Sequence, residues 1–527
     1  MEQLQKILTA TQPLTLAGVP AGFLPWLLSD IARAATGIAV YVAADEAAMR
    51  SVADTAHYFA PEIEILQFPA WDCLPYDRAS PSLKATSERL ATLAALQVKA
   101  SGPRLLLTTV NAVIQRTLTP FRVRQLSAHL KPGARIDRER LAALLQANGY
   151  VRSDTVADAG EYAVRGSLVD LFPSGAEHGL RLDFFGDEIE SIRSFDPADQ
   201  RSIARIESFS LLPASESLLD EEGIKRFRSR YRETFGATAT GDPLYQAVSE
   251  GRRLAGMDHW LPLIEDKMAT IFDHLGETPL FVRDAGSVGA AEARFDAITD
   301  YHANRVRAQT TELGSYRPLA PDLLYLDRSN WEQEIAAHRI HLATPFHEPE
   351  SARVIDFGIE AARDFTPERT KGDNLYDAAN AHAVGLVHNK RGLIIATYSG
   401  GSRERLRGLL ADHAMSGLAL ADDWHEAQSY AAKLQPCLII LPLDHGFTTP
   451  GFALLTEQDL LGDRLVRRAK RKKSADAFLQ QLATLTPGDL VVHTEHGIGR
   501  YDGLTSIPVG NAPHDCVALS YSGGDKL

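Results

Sequence analysis

The sequence predicts an α/β multidomain chain, and three observations carry that prediction. At 527 residues the chain is several times the usual domain size, so roughly three to five separately packed cores are expected. Its front segment alternates short apolar runs with alanine-rich helical stretches, the pattern of a parallel sheet. The texture then changes after Lys131 and again after Leu461, to a β-rich segment in the first case and to a basic stretch followed by glycine-rich alternation in the second.

In the front segment the apolar runs Pro13–Ala17, Ile38–Ala43, Ile63–Phe68 and Arg104–Thr109 read as strands, with Leu27–Ala35 and Glu46–Phe59 as helices between them. From Lys131 a helical Asp137–Asn148 precedes two β-rich runs, Val164–Phe172 and Leu180–Phe185, parted by Pro173-Ser174-Gly175. This reads as a small α+β insertion. A further α/β stretch holds Gly256–Ile264, a strand at Pro279–Val282, a helix over Val288–Ala308 and a strand at Leu323–Leu326, and it could complete the first sheet. Leu393–Thr397, the helical Ser402–Ala411 and Cys437–Leu441 form a βαβ-like unit. From Gly488 apolar and polar residues alternate with frequent glycine, as in the short antiparallel strands of a small barrel.

Composition narrows the function classes. With 45% hydrophobic and 23% charged residues the chain is ordinary globular protein. The 55 basic against 68 acidic residues give a net charge of −13, which argues against wholesale wrapping of nucleic acid and favours protein partners. Cys73, Cys437 and Cys516 are odd in number and lack CxxC spacing, so neither a disulfide framework nor a zinc site is expected. Met1–Leu16 lacks a basic stretch followed by an apolar core, and no run reaches membrane-spanning length, so a soluble, unexported protein is expected.

Several motifs have both a chemical and an ordinary reading. Gly18-Val19-Pro20-Ala21-Gly22-Phe23-Leu24-Pro25 stands where a strand would lead into a phosphate-binding loop. Such a loop needs Lys for phosphate charge and Ser/Thr for magnesium. Leu24 and Pro25 occupy those two places, and Phe23 fills a close-approach glycine, so an ordinary turn is the favoured reading. Asp45-Glu46 resembles a magnesium-binding pair but arrives one strand too early, and reads better as a helix N-terminus. His493, Glu495 and His496 lack HExxH spacing and a third ligand. Ser399-Gly400-Gly401-Ser402 opens a helix and could nest an anion, though it has no lysine. The basic run Arg464, Arg467, Arg468, Lys470, Arg471, Lys472 and Lys473 has no interleaved aromatics. A solvated linker helix is the ordinary reading and weak nonspecific DNA contact the alternative. In the insertion, Arg165, Arg181 and Arg193 lie in strands beside Phe184 and Phe185, one of which alternation turns outward. Arginine with an exposed aromatic is the usual anchor of a protein interface. A salt-bridged strand surface fits the same residues equally well.

Taken together these segments resemble the front half of the bacterial transcription-repair coupling factors, the Mfd family, whose first domain pieces are similar to UvrB. The resemblance rests on Pro69-Ala70-Trp71-Asp72-Cys73-Leu74-Pro75-Tyr76-Asp77, Gly160–Pro173, Arg181–Pro197, Trp260-Leu261-Pro262-Leu263 and Thr456–Gly462, in order over nearly the whole chain. It implies a UvrB-like domain 1a with a degenerate P-loop (Gly18, Gly22, Leu24, Pro25) over residues 1–125, an inserted UvrA-binding domain over 126–210, a domain 1b over 211–347 and a small α/β domain 3 over 348–460. A basic linker helix over 461–486 and a partial CarD/Tudor-like β-barrel over 487–527 follow. Arg165, Arg181 and Phe185 fall on the family's UvrA contacts, and Ile507 on an apolar contact to the RNA polymerase β subunit. The Trp71–Asp77 stretch replaces UvrB's DNA-inserting hairpin, so damage recognition is not implied.

The motifs of the family's ATP-dependent motor are absent from these 527 residues, so a portion of a longer chain is expected. No catalytic residue, metal or cofactor is expected here, since ATP and magnesium belong to that motor. The expected function is a docking portion of a cytoplasmic bacterial repair factor that recruits UvrA and contacts stalled polymerase. The rivals are an ATP-dependent helicase or nuclease subunit, weakened by Leu24 and Pro25, and a DNA-binding regulator, opposed by the net charge.

Overall fold

The computed structural model describes residues 2–173, 176, 178–236, 242–309, 317–415, 417–462, 488, 490–493, 497–509 and 512–521. The chain divides into two compact units, Met1–Pro197 with Arg201–Val466, and Ala198–Gln200 with Arg467–Leu527.

The first unit is built on a seven-stranded sheet in the order Val354–Asp356, Thr15–Ala17, His341–Ala343, Leu280–Asp284, Ala39–Ala43, Arg104–Thr109, Glu64–Phe68. Every neighbouring pair is parallel. Central strands of such a sheet are covered on both faces and read as unbroken apolar runs. Ala39–Ala43 is buried throughout. Alternation sends Val40, Val42 and Leu106 into one core with Trp260 and Phe227, and Tyr41, Ala43, Leu105 and Leu107 into another.

The stretch after the insertion does complete this sheet, through Leu280–Asp284 and His341–Ala343. Two expectations need correction. Leu323–Leu326 is not a strand: Pro321 starts a 3-10 turn, Pro321–Leu323, and only an isolated bridge joins Tyr325 to Gln115. A domain boundary at 347/348 falls too early, because Val354–Asp356 pairs with Thr15–Ala17 at the edge of the first sheet.

The insertion is a six-stranded sheet in the order Ser202–Arg205, Glu188–Phe195, Gly179–Phe185, Leu168–Leu171, Glu161–Arg165, Val151–Arg152. Leu141 and Leu145 of the helix Arg138–Ala147 pack on one face of it with Val169, Leu182, Phe184 and Ile192. At its base Ala128–Leu130 pairs with Phe209–Leu211. The return chain is then fixed by a buried ion pair. Glu216 accepts from Arg89 Nε at 2.6 Å and from Trp71 Nε1 at 3.0 Å, while Arg89 also donates to the Pro69 carbonyl and lies over the Phe68 ring.

A third sheet has the order Glu360–Ala361, Phe447–Thr448, Phe452–Thr456, Gly392–Thr397, Cys437–Ile440, Ala419–Ala421, with the last four strands parallel. One face packs on its own helices through Leu393, Ile395, Leu406 and Leu410. The other shares a core with the first sheet, where Ile394, Ile439, Trp424 and Phe447 meet Phe23, Leu27, Tyr41 and Phe59.

In the second unit Leu490–His493, Gly497–Val509 and Ala512–Ser520 form a three-stranded antiparallel sheet. Tyr501 and Leu519 are buried opposite one another, and Leu490 and Ile498 are exposed. No barrel closes among the described residues.

Candidate docking site

The phosphate-loop position is filled by the protein itself. The helix Leu24–Ala34 starts with Leu24 and buries Leu24, Pro25, Leu27 and Leu28. Its first backbone donors are not available to a phosphate: the N–H groups of Phe23 and Leu24 both turn back onto the Pro20 carbonyl, and Pro25 has none. A Cβ at Gly18 would lie 2.6 Å from Asp356 Oδ1, and one at Gly22 would strike the His445 carbonyl. The Phe23 ring packs against Trp26, Phe357 and Phe447.

Two other motifs also resolve to ordinary structure. Asp45 caps the helix Glu46–Phe59 by accepting from Ala48 N–H at 2.8 Å. The Ser399–Ser402 turn is occupied by the buried Glu457 carboxylate, which accepts from Ser402 Oγ and from Tyr398 N–H. Burial pushes the thiols of Cys73 and Cys437 up to about 12, so neither is a ready nucleophile. His493 ends its strand opposite Gly497, whereas Glu495, His496 and the run Arg464–Lys473 lie outside the described residues. Among the described residues no group of three or more His, Cys, Asp or Glu could hold a metal, and no helix is long and apolar enough to cross a membrane.

The insertion brings Arg165, Arg181 and Phe185 onto adjoining strands. Phe185 is 81% exposed at the corner of the Phe185-Gly186-Asp187-Glu188 hairpin, while its neighbour Phe184 enters the core. Regular strand alternation sets that division, with Leu180, Leu182 and Phe184 buried and Arg181, Asp183 and Phe185 on the other face, while the extra residue of the register shift, Glu190, lies on the partner strand. The two arginines converge on Asp170, a residue that sequence reasoning missed. Asp170 is 2% exposed and accepts from Arg181 Nε at 2.7 Å, Arg181 Nη2 at 2.9 Å and Arg165 Nη2 at 3.0 Å. That hydrogen bonding holds the Arg181 guanidinium above its usual pKa. Register explains the meeting, since Asp170 lies directly opposite Arg181 and on the same face as Arg165. The lone acid in Leu168-Val169-Asp170-Leu171 was the available signal.

Exposure separates the two arginines. Arg165 is 43% exposed and holds Asp170 through one hydrogen bond. Arg181 is only 21% exposed and lies 4.9 Å over the Phe195 ring, so of the two Arg165 is the more accessible. Ile507 lies in the strand Gly497–Val509 opposite His514, and its side chain lies outside the described residues.

Three family models match, described as the UvrB interaction domain over residues 128–216, the MFD D3 domain over 387–460 and the CarD-like/TRCF RID domain over 485–527. Relatives match along most of the chain. The transcription-repair-coupling factor of Escherichia coli (strain K12) is 32% identical over 517 residues, 95% of this chain and 43% of that protein. The chain is thus similar to transcription-repair-coupling factors over most of its own length. The Haemophilus influenzae and Myxococcus xanthus members are each 32% identical as well, over 88% and 93% of this chain. The chain spans less than half the length of these curated relatives, covering 40% and 42% of the latter two. The match at 128–216 contains the whole Arg165–Asp170–Arg181–Phe185 constellation, and the match at 485–527 contains Ile507.

Proposed function

We propose that this chain is a docking portion of a transcription-coupled DNA repair factor, which recruits UvrA through its inserted domain and contacts the RNA polymerase β subunit through its last strands. The observation that supports this most directly is Phe185, an aromatic ring 81% exposed beside arginines already organised on a sheet face. A large exposed aromatic is costly in water, and with arginine it forms the common energetic centre of protein interfaces. Here Phe185 enters an apolar pocket of UvrA, and Arg165 and Arg181 donate charge-assisted hydrogen bonds to acidic groups. The match to a UvrB interaction domain supports the same partner, because UvrB and this chain would present the same fold to UvrA.

Ile507 is the proposed apolar contact to polymerase. The whole factor, longer than this chain, would displace stalled polymerase with an ATP-dependent motor; this portion neither binds ATP tightly nor hydrolyses it. Work on transcribing polymerase places it in the bacterial cytoplasm, and the run Arg464–Lys473 adds at most weak nonspecific DNA contact. The test is a pull-down of the chain with purified UvrA and, separately, with the polymerase β subunit, without ATP or DNA. Retention of UvrA that is lost on Phe185→Ala supports the reading, and failure to retain UvrA at micromolar concentrations sinks it. Ile507→Arg should abolish polymerase retention, because the inserted charge is desolvated without a partner. The rival helicase-like subunit would instead show magnesium-dependent ATP turnover that tracks the purified chain.

A further inference from the structure

The outer face of the inserted sheet carries more charge than Arg165 and Arg181. Arg181 lies directly opposite Arg193, and Arg193 directly opposite Arg205, so three arginines stand side by side on consecutive strands. Directly opposed side chains sit roughly 4.5–5.5 Å apart at Cβ, where like charges destabilise a sheet. Asp170 neutralises only the Arg181 end of this row. Arg193 and Arg205 are exposed, and no ion pair to either occurs among the described residues. Ile203, two residues before Arg205 and therefore on the same face, is 53% exposed. The far end of the row thus repeats the pairing of arginine with a bare apolar side chain found at Arg165 and Phe185.

We propose that the docking surface extends from Arg165, Arg181 and Phe185 across Arg193 to Arg205 and Ile203, and that it receives an acidic protein face carrying carboxylates opposite Arg193 and Arg205. This rests on the docking reading given above and assigns UvrA a wider footprint. A protein fits better than a nucleic-acid backbone because the face is not uniformly basic. Asp183 shares it, two residues from Arg181 on the same strand, and Asp170 lies between Arg165 and Arg181. A row of phosphates would meet those carboxylates, whereas a folded partner can place basic or neutral groups against them. The repulsion within the row is then relieved only in the complex, so binding draws on strain present in the free sheet.

The test measures UvrA affinity and melting temperature on the full chain for Arg193→Glu and Arg205→Glu, with Arg165→Ala and Phe185→Ala as references. Each charge reversal should weaken UvrA binding at least about tenfold. Arg193→Glu should at the same time keep or raise the melting temperature, because it places a carboxylate between two arginines. Unchanged affinity in both reversals, with the reference variants weakened, overturns the wider footprint and leaves the docking reading standing. Unchanged affinity in all four overturns both. Loss of duplex-DNA retention with UvrA affinity intact assigns the row to nucleic acid and also overturns it, as does a fall in affinity that only follows a lowered melting temperature. Should Arg193→Glu fail to fold, Arg193→Gln carries the same comparison.

Discussion

Asp170 is nearly inaccessible and accepts from both Arg165 and Arg181, so the two arginines should differ in what their removal does. Arg181→Ala strips the buried carboxylate of two of its three hydrogen bonds and uncovers the Phe195 ring. It should lower stability by about 1–3 kcal/mol, less than for a fully orphaned buried charge because Arg165 remains. Arg165→Ala leaves the Arg181 pair intact and should barely move the melting temperature. Phe185→Ala, at a hairpin corner in solvent, should not move it either, yet should cost roughly 2–4 kcal/mol of UvrA binding. Thermal unfolding and calorimetric titration on one set of variants check all three. A wild-type melting temperature for Arg181→Ala would show that Asp170 draws its charge from elsewhere. That one of Phe184 and Phe185 turns outward was legible in the sequence, since strand alternation sends adjacent residues to opposite faces, but which of the two it would be was not. Nor was the role of Asp170, because it depends on which residues three strands place opposite one another.

The strands that stood out most plainly in the sequence are those covered on both faces, such as Ala39–Ala43 and Gly392–Thr397, whose every residue is buried. The missed edge strand Val354–Asp356 has three residues and buries only Ile355, too little pattern to distinguish from a loop. Leu323–Leu326 misled in the opposite sense, with Leu324, Tyr325 and Leu326 filling a core from a turn begun by Pro321 while Leu323 is exposed. Two junctions between elements invite measurement. Glu216 and Arg89 are 2% and 0% exposed, so Glu216→Gln leaves a buried guanidinium without its counter-charge and should cost about 3–5 kcal/mol. Hydrogen exchange should rise first in residues 209–219, where the insertion returns; uniform exchange would contradict a local lock. His341 Nδ1 accepts the Leu14 N–H at 3.0 Å, tying the first strand to its neighbour, and burial lowers its pKa to about 4. Below about pH 6.5 the unfolded chain then binds a proton that the fold refuses. The histidine therefore contributes stability that is full above pH 6.5 and is lost as pH falls towards 4, roughly 3 kcal/mol in all. His341→Asn should flatten the stability profile across that window, and an unaltered profile would assign the pH dependence to other groups.

The first and third sheets share one apolar layer, and the degenerate phosphate loop lies inside it. Phe23, directly after Gly22, and Trp26, in the first turn of the following helix, pack on Phe447, while Trp26 and Phe59 pack on Trp424, with ring centroids 4.8–5.9 Å apart. The Gly18–Pro25 turn and the start of its helix form part of the seam between two sheets, which accounts for apolar residues at the two positions that phosphate chemistry would give to Lys and Thr. Leu24 is 8% exposed in that layer, and the His445 carbonyl closes over Gly22. Restoring Leu24→Lys with Pro25→Thr should therefore not restore a site. The lysine must bury an ammonium without a partner or push the sheets apart, and either lowers the melting temperature by several degrees. ATP with magnesium should leave that temperature unchanged in both the wild-type chain and the double variant. Any ligand that binds only the folded state at a hundred times its Kd would add about 2.7 kcal/mol and be seen readily. A saturable, magnesium-dependent rise in the double variant would mean that the seam opens at little cost. The aromatic layer would then be a removable cover over a phosphate site, not the structural bond between the two sheets.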